Sequence, residues 1–153
     1  MSSNRSPIHN WKWKKFSELT ATELYELLAL RSEVFIVEQD CPYQDVDGVD
    51  VKSQHLLGYL SDGTLAAYLR VPEAGVKYSE RSIGRVVTSP KVRRQGVGRL
   101  LMAEALKYLS KEAIRISAQE YLREYYQSYG FQVVHGPYDE DGIPHLEMLK
   151  PAD

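Results

Sequence analysis

In VVTSPKVRRQGVGR, residues 86–99, an apolar strand ends, a short turn follows and two glycines open a helix. The first amide groups of a helix have no partner inside it, and the helix dipole adds about half a positive charge there. Glycine lets a ligand approach the backbone closely, while Arg93, Arg94 and Arg99 add full charges. The stretch therefore predicts a binding site for phosphate groups.

The spacing within this stretch excludes two other phosphate-binding motifs. A Walker loop needs Gly-Lys followed by Ser or Thr, and the chain has no such sequence here. A dinucleotide-binding fingerprint needs a third glycine at the position that Leu101 occupies. What remains is R-x-x-G-x-G, from Arg93 to Gly98, a spacing that also fits a plain glycine-rich helix start with solvated arginines.

The composition is that of an ordinary globular protein. Its 153 residues suit one domain, and 43% apolar with 26% charged residues excludes a disordered chain. The formal net charge of −2 argues against nucleic-acid binding through bulk electrostatics. The sequence shows neither an apolar run of the roughly 20 residues that span a membrane nor an apolar signal-peptide core, and its single cysteine excludes an intrachain disulfide. We therefore expect a cytoplasmic protein without a nucleic-acid or membrane partner.

Hydrophobic periodicity and turn residues predict alternating strands and helices. Thr20 and Glu23 have the spacing of a capping box, which predicts a helix start at residue 21. The predicted order is strand 11–16, helix 21–37, strands 54–60, 65–71 and 82–88, a helix ending near 111, strand 114–118, helix 121–129, and strands 131–135 and 146–149. This order indicates a mixed α/β fold (α+β, mixed sheet) in one domain over residues 11–150, centred on strands 82–88 and 114–118. Residues 1–10 are expected to form a flexible terminus.

The phosphate-binding spacing resembles the pyrophosphate loop of the GCN5-related N-acetyltransferase (GNAT) superfamily, whose members bind acetyl-coenzyme A (acetyl-CoA). The predicted element order is that of the superfamily, and Tyr126 precedes Gly130-Phe131 by four residues, as in the late helix of these proteins. The segment LRSEVFIVEQDCPYQDVDG, residues 30–48, with IGRV at 83–86 and DGIPH at 141–145, is similar to the ElaA-type branch. The resemblance covers nearly the whole chain after its first ten residues.

This resemblance implies a fold and an activity. The fold is the GNAT acyl-CoA N-acyltransferase fold, a mixed and mostly antiparallel sheet flanked by helices. The activity is an acetyl-CoA-dependent transfer of the acetyl group to a primary amine of a small molecule or peptide, by direct attack in a ternary complex. The alternative is a non-catalytic CoA-binding domain that acts as a sensor or interaction module.

The resemblance also assigns roles to residues. Strand residues Val86, Val87 and Thr88 would pair with the pantetheine arm, and Gln119 stands where many relatives place an asparagine near that arm. Tyr126 would be the general acid that protonates the leaving thiolate. Pyrophosphate binding would fall to the phosphate turn, residues 93–99: Arg93, Arg94, Gln95, Gly96, Val97, Gly98 and Arg99.

The general base remains open between several groups. Glu38, His55, His145 and ordered water are candidates, and we favour Glu38 because it ends the first predicted helix, where the superfamily shapes its acceptor site. Each side chain also has a structural alternative, such as a helix-end contact, a satisfied strand histidine or a turn contact. Arg85, within the central strand, would reach the acceptor pocket or form a structural ion pair.

The acidic loop, residues 38–50, has three interpretations. Its carboxylates could attract a cationic acceptor, bind a metal, or cap turns in a solvated loop. An EF-hand is excluded because its glycine and glutamate positions, counted from Asp45, hold Asp50 and Leu56. We favour a solvated loop, with one or two carboxylates lining the substrate site and no metal. Cys41 is expected to be partly buried rather than nucleophilic, and the strand with Trp11 and Trp13 offers an edge for a homodimer.

Overall fold

The computed structural model describes residues 6–153, and the predicted order of strands and helices is confirmed along this part of the chain. Strands and helices are numbered in chain order: β1 Asn10–Lys15, α1 Ala21–Arg31, β2 Ser53–Tyr59, β3 Leu65–Pro72, β4 Gly84–Thr88, α2 Val97–Tyr108, β5 Ile114–Gln119, α3 Arg123–Gln127, β6 Gln132–Glu140 and β7 Ile143–Lys150.

The packed part of the chain begins before Trp11, the residue at which the sequence analysis placed the start of the domain. Ile8 is buried in the main core, and the His9 amide donates to the carbonyl of Tyr59 at 2.7 Å. Only residues 1–5 of the predicted flexible terminus lie outside the described residues.

Helix α1 begins as its capping box predicts. The Glu23 amide donates to Thr20 Oγ1 at 3.0 Å, and the Thr20 amide donates to Glu23 Oε1 at 2.9 Å. This exchange satisfies two backbone donors that a helix start leaves free. After Arg31 the helix widens into a π-helix, Ser32–Glu38, so it ends one residue beyond the prediction.

The strands form two antiparallel sheets, with the orders β1-β2-β3-β4 and β5-β7-β6. This corrects the expectation that strands 82–88 and 114–118 are the centre of one sheet, because β4 and β5 are each an edge strand. In residues 6–153 one isolated parallel bridge pairs Arg81, three residues before β4, with Ile114 of β5. A periodic apolar pattern marks a strand as buried but does not determine its neighbours, so the separation was not readable from the sequence.

Helices cover both faces of the first sheet. Helix α2 packs Leu101 and Met102 into a core shared with Leu69 of β3, Ile116 of β5 and Met148 of β7. Helix α1 packs on the opposite face in a second core, with Leu27 and Leu30 against Leu57, Tyr68 and Val87. The shared first core keeps the two sheets in one packed unit.

The last hairpin is longer than predicted. Its strands reach Glu140 and Ile143, so only Asp141 and Gly142 form the turn instead of the nine-residue connection 137–145. Both turn residues have positive φ, 53° and 79°, as an Asp-Gly hairpin turn requires. Pro137 and Pro144 flank the turn and hid this signal, because proline weakens any strand prediction.

In residues 6–153 every helix is too short or too polar to cross a membrane.

Candidate active site

A cleft of about 360 Å³ opens where the two sheets separate. One wall is β4, with Gly84, Arg85 and Val86, and the facing wall is β5, with residues 116–119. Further lining comes from the π-helix Ser32–Glu38 and the loop after it, with Phe35 and Tyr43, from the β6–β7 hairpin, with Glu140 and His145, and from α3, with Tyr126.

A bulge in β4 exposes backbone to this cleft. Tyr68 of β3 pairs with Val87 and Arg70 pairs with Gly84, so Arg85 and Val86 are left without partners on β3. Arg85 adopts a φ of 51°, which turns the strand at this point. Because the other side of β4 faces the cleft, amides and carbonyls here are available to a ligand that lies along the strand.

The phosphate turn follows β4 after a short 3₁₀ helix, Pro90–Val92, and opens α2. Gly96 has a φ of 75° and precedes Val97, the first residue of α2. A Cβ at Gly96 or at Gly98 would meet nothing within 4 Å, so open space lies above the first amides of the helix. Arg93, Arg94, Gln95 and Arg99 are exposed, whereas the Val97 side chain is buried and leaves only its backbone available. The turn thus fits a phosphate group.

Three residues predicted to touch the co-substrate meet in the cleft. Val86, Gln119 and Tyr126 all line it, while the side chain of Val87 packs into the core beside α1. The Tyr126 ring packs edge-on against Phe131 at 5.9 Å. Burial, with a smaller effect of the Tyr121 and Tyr129 hydroxyls, raises the pKa of Tyr126 to about 12. The hydroxyl therefore carries its proton at neutral pH.

Glu38 lies outside the cleft lining and is held by the phosphate turn. Both terminal nitrogens of Arg93 donate to its carboxylate, one of them at 2.6 Å. These hydrogen bonds lower the pKa of Glu38. A carboxylate with a lowered pKa and an arginine partner is a poor proton acceptor, so the structure does not favour Glu38 as the base.

Most of the acidic loop is exposed, as expected, but two of its carboxylates are buried, which the sequence did not predict. Arg31, fully buried at the end of α1, donates to Asp45 Oδ2 and to Asp50 Oδ1, each at 2.8 Å. Asp45 and Asp50 are themselves buried. Their carboxylates are neutralised by arginine, which leaves no free charge there to attract a cationic acceptor.

Two further arginines complete this arginine–aspartate network of Arg31, Arg70, Arg85, Asp45, Asp47 and Asp50. Arg70 of β3 donates to Asp47 Oδ2 at 2.7 Å and to Asp50 Oδ1 at 2.9 Å. Arg85 donates to Asp45 Oδ1 at 2.8 Å and to Asp47 at 3.2 Å, so it forms a structural ion pair at the edge of the cleft. Despite partial burial, the hydrogen bonds from Arg70 hold the pKa of Asp47 well below its usual range. A charged residue inside the apolar strand LAAYLRVP was the signal for such a partner.

The two candidate histidines differ in their access to the cleft. His55 is fully buried, with Nδ1 2.6 Å from the Tyr68 hydroxyl and Nε2 2.9 Å from the Asp50 carbonyl. Burial lowers the pKa of His55. Both of its ring nitrogens have hydrogen-bond partners, so His55 has a structural role in β2. His145 lines the cleft, with Nδ1 2.8 Å from the Ile143 carbonyl oxygen.

Comparison with known proteins identifies the class to which this fold and cleft belong. Residues 18–151 match the family described as "Acetyltransferase (GNAT) domain", and the chain belongs to this family. Members of the family take an acyl-CoA and an acceptor, so the chain is an acyltransferase by family. The fold expectation is likewise confirmed: it is the GNAT acyl-CoA N-acyltransferase fold.

Individual relatives narrow the family to the ElaA-type branch. Protein ElaA of Escherichia coli is 40% identical over 146 residues, which cover 92% of this chain and 95% of that protein. A UPF0039 protein of Synechocystis is 42% identical over 144 residues, covering 92% and 94%. The crystal structure of Escherichia coli ElaA superposes with a TM-score of 0.84 at 39% identity, covering 92% of this chain and 98% of that one. An acyl-CoA N-acyltransferase from Pseudomonas aeruginosa gives a TM-score of 0.88 at 44% identity, with the same coverage.

Proposed function

We propose that this protein is an N-acetyltransferase that moves the acetyl group of acetyl-CoA to a primary amine of a small molecule or peptide. The observation that carries the proposal is the cleft between β4 and β5, which brings the bulged strand, Gln119 and the protonated Tyr126 to one space. The amine attacks the thioester directly in a ternary complex, and the catalytic domain is the segment 11–150.

The residues of β4 and of the phosphate turn bind the co-substrate. The amides at the start of α2, with Arg93, Arg94 and Arg99, receive the pyrophosphate. The backbone at Arg85 and Val86, which has no partner on β3, forms hydrogen bonds with the pantetheine arm. One of its amides polarises the thioester oxygen, as an oxyanion hole does. Gln119 lies across the cleft and donates or accepts through its side-chain amide.

Tyr126 supplies the proton that the leaving thiolate needs. A phenol with a pKa of about 12 carries its proton at neutral pH. It can donate this proton as the carbon–sulfur bond breaks and negative charge develops on sulfur. This role separates the enzyme from a CoA-binding sensor, which would need the phosphate turn but not the Tyr126 hydroxyl.

The first test is a calorimetric titration of the protein with acetyl-CoA, beside the double variant Arg94→Glu/Gly96→Asp. The variant places two carboxylates at the phosphate turn, and we expect it to lose binding that the wild type shows. A matched control is Lys107→Glu/Gly63→Asp, which reverses one charge and replaces one positive-φ glycine far from the turn. Absence of binding to a folded wild type would refute both the enzyme and the sensor.

The second test separates catalysis from binding alone. The wild type is incubated with acetyl-CoA and diaminobutane, tyramine or Nα-acetyl-lysine, and free thiol is measured. Thiol release that depends on the amine supports the transferase. Binding of acetyl-CoA without thiol release from any of these amines would favour the sensor.

A further inference from the structure

A second group in the cleft is placed for proton transfer, the imidazole of His145. It lies on β7, directly opposite Gln119 of β5 in the register of the second sheet. Both residues line the cleft, as does Tyr126. The His145 ring stacks on Tyr138 of β6 with a centroid distance of 6.2 Å, which fixes its plane.

One hydrogen bond determines which ring nitrogen can accept a proton. Nδ1 of His145 lies 2.8 Å from the carbonyl oxygen of Ile143. A carbonyl oxygen only accepts, so Nδ1 carries the hydrogen in the neutral ring and Nε2 presents its lone pair. Nε2 faces the carboxylate of Glu140 at 3.5 Å. A carboxylate has no proton to donate, so Glu140 does not occupy the lone pair of Nε2 with a hydrogen bond.

The other groups around His145 leave this arrangement intact. Tyr138 and Glu140 face it from β6, Glu147 is two residues along β7, and Tyr78 of the loop before β4 lines the same cleft. Glu147 is neutralised by Arg115 at 2.7 Å, and Arg115 is also held by Glu80. Glu140 has no comparable arginine partner within residues 6–153 and is half exposed towards the cleft. Lys77 and Asp141 complete the charged lining on this side.

We propose that His145 is the general base of the transfer and that Glu140 is its positioning residue, so that the acceptor enters as an alkyl ammonium. This inference rests on the proposed function and names the proton path that it requires. Nε2 of His145 takes one proton from the ammonium, and the free amine attacks the thioester carbon. The carbon–sulfur bond breaks, Tyr126 protonates the thiolate, and the second amine proton restores Tyr126 through solvent. The proton on His145 then leaves to water, which balances the reaction.

The test compares pH–rate profiles of the wild type and His145→Gln, with thiol release from acetyl-CoA and the best of the three amines named above. We expect kcat/KM at pH 7 to fall about 100-fold, as the loss of a general base does. The deficit should shrink as pH rises, because more of the amine then arrives unprotonated. The matched control is His135→Gln, which changes an exposed histidine on the far side of Tyr138 and should leave the profile unchanged.

Glu140 provides a second test that does not depend on the folding of the first variant. Glu140→Gln should lower kcat/KM less than His145→Gln does and change the acidic limb of the profile, because Nε2 of His145 loses the carboxylate 3.5 Å away. Combined with His145→Gln it should add no further loss. An unchanged acidic limb in both variants would overturn the inference and leave the transferase standing. A wild type that releases no thiol would overturn the transferase and the inference together.

Discussion

Arg93 and Glu38, 55 positions apart in the chain, form a two-point ion pair that ties the phosphate turn to the end of π-helix Ser32–Glu38. Both side chains are about two-fifths exposed, so the pair is screened by salt. The contact places a carboxylate beside an arginine that is proposed to bind pyrophosphate. The two anions would compete for the same guanidinium.

Removing that carboxylate should therefore strengthen co-substrate binding. We expect Glu38→Gln to tighten acetyl-CoA binding about two- to threefold at low salt, an effect of the size that exposed ion pairs have. Calorimetry at two salt concentrations measures it, with Glu26→Gln on α1 as the control. Weaker binding of acetyl-CoA by Glu38→Gln would show that the ion pair shapes the phosphate turn. In a pH–rate profile of the same variant, a shifted acidic limb of kcat/KM would restore Glu38 as a candidate base.

Tyr126→Phe should lower kcat without changing acetyl-CoA affinity. The variant keeps the ring packing against Phe131 and removes only the proton donor. We expect a loss of about 100-fold in kcat at saturating substrates, the usual contribution of a general acid. Tyr129→Phe, which removes a neighbouring hydroxyl on the same segment, is the matched control. Unchanged turnover of Tyr126→Phe would remove this residue from the mechanism.

The arginine–aspartate network should be the most sensitive polar element of the fold. Asp50→Ala removes a buried acceptor of both Arg31 and Arg70. Leaving buried guanidinium groups without a counter-charge should cost about 3–5 kcal/mol in the free energy of unfolding. Urea denaturation measures this cost, and Glu112→Ala, which breaks the exposed pair with Arg81, should change little. A similar decrease in the free energy of unfolding in both variants would contradict the prediction that the buried network contributes more than an exposed ion pair.

His55 should make the protein less stable as pH falls from 7 to 5. Burial lowers its pKa in the folded state, whereas the unfolded chain takes up a proton near pH 6.5. Below about pH 6.5 the unfolded state binds more protons than the folded state. The free energy of unfolding therefore decreases as the pH is lowered through this window. We expect His55→Gln to reduce that fall by about 1 kcal/mol between pH 7 and 5. His135→Gln, at an exposed site, should keep the wild-type slope; an equal slope in His55→Gln would refute the assignment.

Local signals made the phosphate turn and the helix starts predictable. The glycines at 96 and 98 and the Thr20–Glu23 capping box act over a few residues, so the sequence carries their whole geometry. The placement of Tyr126 in the cleft followed from the family pattern rather than from its own surroundings. The phosphate turn and the helix starts can be predicted from the sequence because no distant contact is needed to define them.

The features missed by sequence analysis depend on distant contacts. The pairs of Asp45 with Arg31 and Arg85 join residues 14 and 40 positions apart, and no local pattern states which arginine faces which aspartate. The apolar run likewise does not reveal the position of the bulge in β4, nor that β4 and β5 lie in different sheets. The contact of Glu38 with Arg93 likewise joins distant segments, so the sequence does not show that this carboxylate faces the phosphate turn.

The arginine–aspartate network also determines where new acceptor preferences can arise. Asp45, Asp47 and Asp50 anchor one wall of the cleft to arginines from α1, β3 and β4, so a substitution there alters stability before it alters the pocket. The turn at Asp141 and Gly142 is exposed and joins two strands that are already paired along their length. We therefore expect selection of the proposed transferase for new acceptors to tolerate substitutions at the hairpin tip and to reject them in the acidic loop, so that the hairpin is the side of the cleft that can change.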